Sequence, residues 1–169
     1  NMCGNIIGGT LFAHTAIGNG GHGIYVYGNR NQIGGMEGNI IVGNALDGIQ
    51  LDTASFCGVL NNSVGISRPD WGATNLPNRG HGIAVVNRAD FNDIGWLITN
   101  GGNYVSGNEG DGIYVGAGSY GNNIQGNQVG VWWSGTELYK MHHNLGAGIR
   151  LSSVTNSWVG GTTAAQGNL

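Results

Sequence analysis

Short apolar runs separated by glycine and asparagine recur along the whole chain. The clearest is glycine and isoleucine, then any residue, then valine or leucine, and it occurs five times. In an extended strand, alternation directs the isoleucine and the valine or leucine to one face. The runs are far shorter than a helix and end at residues that turn the backbone at little steric cost. They predict short strands whose inward, first-column residues are Ile24 and Val26, Ile49 and Leu51, Ile83 and Val85, Ile113 and Val115, and Ile149 and Leu151.

Two further apolar columns alternate with the first. The second typically falls in an Asn-x-Ile-Gly pattern, and its predicted members are Ile7, Ile33, Leu60, Ile94, Ile124 and Val159. The third is predicted to contain Ala16, Ile41, Val64, Val105 and Val129. Because the three columns follow one another in strict order, each repeat is expected to contain three short strands.

The spacing of the columns predicts the architecture. Successive first-column isoleucines lie 25 to 36 residues apart, which suits one turn of a three-stranded coil with loops of varying size. Such a unit cannot bury its own apolar face, whereas coils stacked about 4.8 Å apart bury a continuous column of Ile, Val and Leu. We therefore predict an all-β protein, a single domain over 1–169 built as a parallel β-helix of about five to six coils. Turn asparagines are expected to stack into ladders.

Composition supports this prediction and argues against several function classes. The 169 residues include 35 glycines and only 9% charged residues, yet regularly placed Ile and Val distinguish the chain from a disordered segment. A net charge of −3 without a basic cluster argues against nucleic-acid binding. No apolar run has the length of a membrane span. The chain opens inside a repeat, so we expect a longer chain or an end-to-end homo-oligomer.

Two insertions at the same corner of the coil are candidate binding loops. They run from Ile66 to Arg79 and from Val131 to Leu145, and they contain three of the five tryptophans. Aromatic rings pack against sugar rings by dispersion, so an exposed patch here would suit a glycan; alternatively, the tryptophans cover the side of the coil. The candidate glycan-binding residues of the insertions are Arg68, Trp71, Arg79, Trp132, Trp133 and Tyr139.

The outward residues of the first column form a second candidate surface. They lie between the inward isoleucine and the valine or leucine, so stacking places them in one line. This line is either a flat binding face or an ordinary solvated β face. Its candidate residues are Tyr25, Tyr114 and Arg150, with Gln50 between them.

The repeats resemble those of right-handed parallel β-helix proteins of the pectin-lyase-like superfamily. The resemblance is carried by Asn5-Ile6-Ile7-Gly8-Gly9-Thr10, by 102–108, by 111–115, by 123–130 and by 76–83, and it extends over essentially the whole chain. It is closest to the Asn/Gly-rich repeats of bacterial secreted or surface proteins. The resemblance implies a single-stranded right-handed β-helix and an extracellular or cell-surface location. It does not select a function, because this fold carries lyases, hydrolases, epimerases and plain stalks.

A histidine motif tests one enzymatic assignment. Gly21-His22-Gly23 and Gly80-His81-Gly82 look like the Gly-His-Gly of β-helical polygalacturonases, which are inverting hydrolases with a carboxyl acid and base. The Asn-Thr-Asp, Asp-Asp and Arg-Ile-Lys motifs of that family do not occur here, so we reject the assignment. The column before the repeated glycine is instead predicted to hold solvent-facing turn residues, namely His22, Asp47, His81, Asp111 and Ala147.

The densest polar group of the chain supplies the catalytic candidates. Lyase or epimerase chemistry on a uronic acid needs a base near the α-carbon and a cation that neutralises the carboxylate. The sequence shows no cluster of acid, base and cation and no carboxylate cluster for calcium, so we expect no metal site and no cofactor. The candidates are Glu137, Tyr139, Lys140, His142 and His143.

These patterns favour a non-catalytic β-helix module of a secreted or surface protein that binds a polysaccharide or a cell-surface glycan. One alternative is a polysaccharide lyase, glycoside hydrolase or epimerase, which requires ionisable groups that converge on one face. The other is a structural spacer or assembly unit.

Overall fold

The computed structural model describes residues 1–10, 15–67, 74–95, 101–133, 138–139 and 142–169. A short 3₁₀ helix lies at Ala164–Gln166, and the described residues include no helix long and apolar enough to cross a membrane. The strands are, in chain order, β1 (Ile6–Ile7), β2 (Ile24–Val26), β3 (Gln32–Gly34), β4 (Ile40–Ile41), β5 (Ile49–Asp52), β6 (Gly58–Leu60), β7 (Ser63–Val64), β8 (Ile83–Val86), β9 (Asp93–Ile94), β10 (Tyr104–Val105), β11 (Ile113–Val115), β12 (Asn123–Ile124), β13 (Gln128–Val129), β14 (Trp132–Trp133), β15 (Leu138–Tyr139), β16 (Ile149–Leu151) and β17 (Trp158–Val159).

Three five-stranded parallel sheets form the body of the protein. The first sheet has the order β2-β5-β8-β11-β16, the second β3-β6-β9-β12-β17, and the third β1-β4-β7-β10-β13. Each strand pairs with the equivalent strand of the next coil, which is the arrangement of a parallel β-helix. The fold class predicted from the sequence is confirmed. A separate antiparallel pair, β14 and β15, lies in the second insertion.

The first column is in the predicted register. Ile24, Ile49, Ile83, Ile113 and Ile149 are direct partners across the first sheet. The first four are buried, and Ile49, Ile83 and Ile113 have no exposed surface. With the buried residues of the other two sheets they form one continuous core inside the coil. Burial of aliphatic side chains at about 25 cal/mol per Å² is therefore the main apolar contribution to stability.

The second column differs from the prediction in one coil. Ile33 pairs with Val59, and Val59 pairs with Ile94, so the inward residue of β6 is Val59 and the predicted Leu60 is wrong. Val59 has no exposed surface, whereas Leu60 is half-buried on the outer side. The cause is Cys57, which stands where three other coils of this sheet have the asparagine of the Asn-x-Ile-Gly pattern.

The N-terminal coil also departs from the predicted columns. Ile7 pairs with Ile41 and belongs to the third column, while Met2 bridges to Ile33 and occupies the second-column position instead. Ala16, predicted in the third column, is exposed and forms an antiparallel bridge with Gly9. The motif around Ile7 matches both column patterns, and its asparagine pairs with Asn39, which fixes the register.

Buried asparagines stack into ladders at the turns, as predicted. Within a ladder, the main-chain N–H and the side-chain Nδ2 of one asparagine both donate to Oδ1 of the equivalent residue in the next coil. Asn62, for example, donates both bonds to Asn103 at 3.0 Å. The first ladder is Asn5, Asn39, Asn62, Asn103, Asn127 and Asn168; the second is Asn19, Asn44, Asn78, Asn108 and Asn144; the third is Asn31, Cys57, Asn92, Asn122 and Ser157.

Replacing a central ladder residue is expected to unpair its neighbours. In Asn103→Ala, the buried main-chain N–H of Asn62 loses its acceptor, and the carbonyl of Val59 loses one of its two donors and keeps the N–H of Gly95. We expect the free energy of unfolding to fall by about 3 kcal/mol, measured by chemical denaturation. The control is Asn123→Ala, which removes one half-buried bond to Asp93 and should cost less than about 1 kcal/mol. Equal losses in the two variants would contradict a special role for the ladder.

The third ladder allows a substitution that is expected to raise the free energy of unfolding. Buried Cys57 accepts the N–H of Asn31 at 3.4 Å and has Sγ 3.5 Å from the carbonyl of Gly28. In Cys57→Asn, a side chain of similar size replaces these weak sulfur contacts with amide hydrogen bonds and extends the ladder. We expect a gain of about 1 kcal/mol in the free energy of unfolding, whereas Cys57→Ala should be destabilising. A loss in both variants would show that the thiol itself is preferred.

Candidate functional site

The outer face of the first sheet carries the predicted outward line. Tyr25, Gln50, Ala84, Tyr114 and Arg150 are direct partners in successive strands. Tyr25 is 53% exposed, whereas Ala84 is only 1% exposed although it points outward. The line of exposed side chains is therefore interrupted at Ala84, which is covered by its larger neighbours. The three candidates Tyr25, Tyr114 and Arg150 do share one face.

A column of alternating histidine and aspartate runs along the edge of this face. We call His22, Asp47, His81 and Asp111 the His–Asp column. His22 Nδ1 accepts the main-chain N–H of Asp47 at 3.3 Å, and Asp47 Oδ1 accepts that of His81. His81 Nδ1 in turn accepts the N–H of Asp111 at 3.0 Å, and Asp111 Oδ1 accepts that of Ala147 at 2.7 Å. The column is thus a fourth ladder between coils. The prediction of solvent-facing turn residues is wrong for the buried Asp111, whereas His22, Asp47 and His81 are partly exposed.

Asp111 is the most constrained member of the column. Its side chain is 3% exposed, and its two oxygens lie 2.9 and 3.0 Å from Nε and Nη2 of Arg150. Such a two-pronged contact between guanidinium and carboxylate is stronger than a neutral hydrogen bond. The carboxylate is therefore fully occupied by protein groups, and Arg150 is held against it.

The main chain determines where the histidines carry their protons. An amide N–H is always a donor, so Nδ1 of His81 must be an acceptor when it binds the N–H of Asp111. The neutral ring then carries its hydrogen on Nε2. Protonation adds a hydrogen to Nδ1, which lies 3.3 Å from Asp111 Oδ2, and Nε2 keeps its own. Nε2 of His81 is consequently a donor in both states, and the same holds for His22.

Each histidine of the column lies beside a tyrosine. His81 stacks on Tyr114 with ring centroids 4.7 Å apart and planes 11° apart, and His22 lies 5.7 Å from Tyr25. Both histidines are partly exposed. The face therefore presents two His–Tyr pairs on a parallel sheet, each combining a ring surface with polar groups at its rim.

Asp52 adds a charged acceptor next to Tyr25. Its Oδ1 accepts bonds from Asn87 Nδ2 at 3.0 Å and from the Thr53 hydroxyl, while its Oδ2 accepts the Tyr25 hydroxyl at 2.8 Å. These donors favour the ionised form and hold the pKa of Asp52 below its usual value, with Asn87 contributing most and Tyr25 next. The same bond raises the pKa of Tyr25, because the phenol is a donor to a carboxylate.

The insertions are only partly described. Arg68, Trp71, Glu137 and Lys140 lie outside the described residues, and for Trp132, Trp133 and Tyr139 only the strand backbone is described. The two insertions nevertheless end in one ladder, two coils apart, since Asn78 and Asn144 pair with Asn108 from opposite sides. The sequence prediction that they leave the same corner is consistent with this pairing.

The remaining candidates of the insertions are spread out. His142 is half-buried and its carbonyl accepts the N–H of Gly107, whereas His143 is exposed. Arg79 is exposed and lines an open groove of about 350 Å³ with Leu76, Pro77 and Glu109. In the described part of the chain, no group of three His, Cys, Asp or Glu residues is arranged to hold a metal ion.

An exposed aromatic stack was missed by the sequence analysis. Phe56 stacks on Phe91 with centroids 5.3 Å apart, and Phe91 meets the edge of Tyr120 at 5.4 Å. We call these three residues the corner ladder, because they lie at the turn between the first and second sheets. A constant spacing in the sequence predicts this alignment. Phe56 lies three residues before Val59 and Phe91 three residues before Ile94, and Arg30 has the same spacing from Ile33. The misplacement of Leu60 in the second column hid the alignment.

Scans against protein-family models and searches of curated proteins and of solved structures gave no match to this chain. Function is therefore inferred from the geometry of the described residues.

Removing the strongest donor to Asp52 should raise its pKa. We expect Asn87→Ala to shift the carboxyl titration upward, and Thr53→Ala to shift it less, because its bond contributes less. The folded-state pKa lies below the unfolded value, so the small stabilisation from ionised Asp52 is present above that value and lost as pH falls through the folded pKa. Carboxyl-carbon NMR titration measures both variants. A larger shift in Thr53→Ala would contradict this order.

Proposed function

We propose that this protein is a non-catalytic β-helix module that binds a glycan through the outer face of its first sheet. The observation that carries the proposal is the pair of His–Tyr contacts on that face, in which each imidazole is fixed by the scaffold and keeps Nε2 as a donor. The repeated Asn/Gly motifs, which resemble pectin-lyase-like repeats, support a related proposal, namely that the chain is a secreted or surface protein of bacterial origin.

The chemistry of the face suits a sugar polymer. Sugar rings have apolar C–H faces and hydroxyl rims, so they are bound by aromatic rings together with fixed hydrogen-bonding groups. Tyr25 and Tyr114 supply the rings, His22 and His81 supply Nε2–H donors, and Asp52 supplies an acceptor. A parallel sheet with one outward residue per coil presents these groups along a line, which favours an extended chain over a compact ligand.

The charges of the face favour a neutral glycan. The guanidinium of Arg150 is bound by Asp111, so it is already neutralised by a protein carboxylate. Asp47 and Asp52 add negative charge near the two His–Tyr pairs. A uronic-acid polymer would bring further carboxylates to this surface, and like charges in proximity repel.

The same geometry opposes the enzymatic alternative. His81, Asp111, Tyr114 and Arg150 do converge, as a lyase or epimerase would require. However, a base must offer a free lone pair to the proton that it removes. Nδ1 of His81 is used by the N–H of Asp111, and Nε2 carries hydrogen in both protonation states. In this arrangement neither nitrogen of the His81 ring offers a free lone pair, which argues against His81 as a general base.

Two other expectations stay predictions. Glycan contact by the insertions depends on Trp71, Trp132 and Trp133, and end-to-end association remains an expectation from the sequence. A structural spacer would share the sheets and ladders but would bind no sugar.

A glycan panel separates these possibilities. The panel contains hexasaccharides of β-1,4-glucan, xylan and mannan, with a galacturonate hexasaccharide as the acidic comparator. We expect binding of a neutral member by calorimetry, weakened about tenfold in Tyr114→Ala, which removes a ring contact. His81→Asn should also weaken binding, because the asparagine Oδ1 replaces Nδ1 as the acceptor while the Nε2–H donor is lost.

The matched control is Tyr104→Ala, which removes an outward tyrosine from the third sheet. It should leave binding unchanged. No binding of any hexasaccharide would contradict the proposal and favour the spacer, whereas cleavage or epimerisation of galacturonate by the unaltered chain would favour the enzyme.

A further inference from the structure

A groove lies beside the corner ladder, away from the His–Tyr face. It has a volume of about 370 Å³, within the usual range for small-ligand sites. Phe56 and Leu60 supply apolar walls, and Arg30, Asn31 and Gln32 supply polar groups along the rim. Gly58 lies in the same lining, so the groove is open where any other residue would place a side chain.

The turn at this corner has a positive φ in every coil, at Arg30, Phe56, Phe91, Gly121 and Asn156, so a bulky residue there is strained. Phe56 and Phe91 have φ of 58° and 55°, in the left-handed region that favours glycine and asparagine. The equivalent positions of the next two coils are Gly121 and Asn156, which adopt the same conformation at lower cost. The fold therefore does not require phenylalanine here. Strained residues that the fold does not require often belong to binding sites.

The ring of Phe56 is also available to a ligand. Phe56 is 56% exposed, although it stacks on Phe91. Its other neighbour is the guanidinium of Arg30, whose Cζ lies 5.8 Å from the ring centroid, near the outer limit of a cation–π contact. An apolar ring with so much exposed surface, beside a groove, is a ready contact for a ligand with an apolar face.

We propose that this groove binds one sugar ring of a neutral glycan, a second contact beyond the His–Tyr face. The proposal rests on the proposed function, because it assigns the same class of ligand. The apolar C–H face of a pyranose packs against Phe56 and Leu60. Its hydroxyls bond to the side chains of Gln32, Asn31 and Arg30. The Nδ2 of Asn31 and the Nε2 of Gln32 already donate to main-chain carbonyls. Sugar hydroxyls can bond to the remaining amide oxygens and to the guanidinium, whereas a purely apolar ligand would use none of these groups. Among the side chains that line the groove, only that of Arg30 is a cation, and the chain has a net charge of −3, so the groove does not favour a phosphate.

The groove can be filled without disturbing the fold. Gly58 has no positive φ, and a Cβ added there meets only the side chain of Leu60 at 3.7 Å, an ordinary contact. In Gly58→Leu, an outward side chain therefore occupies the space that the sugar needs. We expect affinity for the neutral hexasaccharide to fall at least fivefold while the thermal midpoint stays within error or rises.

A second variant separates ligand contact from stability. Phe56→Gly removes the ring and relieves the strained backbone, so we expect weaker binding without a loss of thermal stability. Phe91→Gly is the matched control, since it removes a ring from the same ladder and the same strain but does not line the groove. It should bind as the unaltered chain does. Titration of the hexasaccharide should also shift the NMR signals of the Leu60 methyl groups.

The outcomes distinguish this proposal from the preceding one. Unchanged affinity in Gly58→Leu and Phe56→Gly, together with weaker binding in Tyr114→Ala, overturns the groove and leaves the His–Tyr face standing. Equal loss in Phe56→Gly and Phe91→Gly with reduced thermal stability assigns the ladder a structural role and also overturns it. Absence of binding by the unaltered chain to all the neutral hexasaccharides overturns both.

Discussion

The structure depends on hydrogen bonds that pass from one coil to the next through turn side chains. A strand of two or three residues forms few ladder bonds, and the turns between such strands contain main-chain groups that face a dry interior. Asparagine can pair these groups because its side chain both donates and accepts. Asn62, Asn103 and Asn127 are buried, and each is bonded to the next coil. Without these amides, the turns would leave unpaired polar groups at a cost of about 1 to 3 kcal/mol each.

The same stacking decides what the outer surface can present. A coil rises about 4.8 Å, so residues far apart in sequence become contact neighbours whenever they share a position in the coil. His81 and Asp111 are 30 residues apart and bonded; Phe56 and Phe91 are 35 apart and stacked. Polar and aromatic residues at one position therefore combine into lines along the axis. Both candidate contact surfaces of this protein are lines of this kind.

Most of the core could be predicted from the sequence, because an inward column repeats the same residue types. The prediction failed at β6, where Cys57 replaces a ladder asparagine and Leu60 resembles an inward residue as well as Val59 does. The one-residue slip moved Phe56 out of line with Phe91, so the corner ladder was not recognised. The inter-coil bonds of the His–Asp column were also missed. Histidine and aspartate differ in chemistry, so their alternation does not resemble a repeat. In this column, however, histidine Nδ1 and aspartate Oδ1 each accept a main-chain N–H from the next coil.

This shared acceptor role bears on whether such a face binds or catalyses. Side chains that accept main-chain N–H groups from the next coil use their lone pairs in these bonds. Those lone pairs are then not free to act as a general base. In the His–Asp column, Asp111 is occupied by Arg150 and Ala147, and each histidine gives its Nδ1 lone pair to a neighbouring amide. The groups left for a ligand are ring faces, Nε2–H donors, tyrosine hydroxyls and the exposed acceptor Asp52. They suit contact with hydroxyl-rich rings, and the bonds that join the coils are the reason that Nδ1 of each histidine offers no free lone pair.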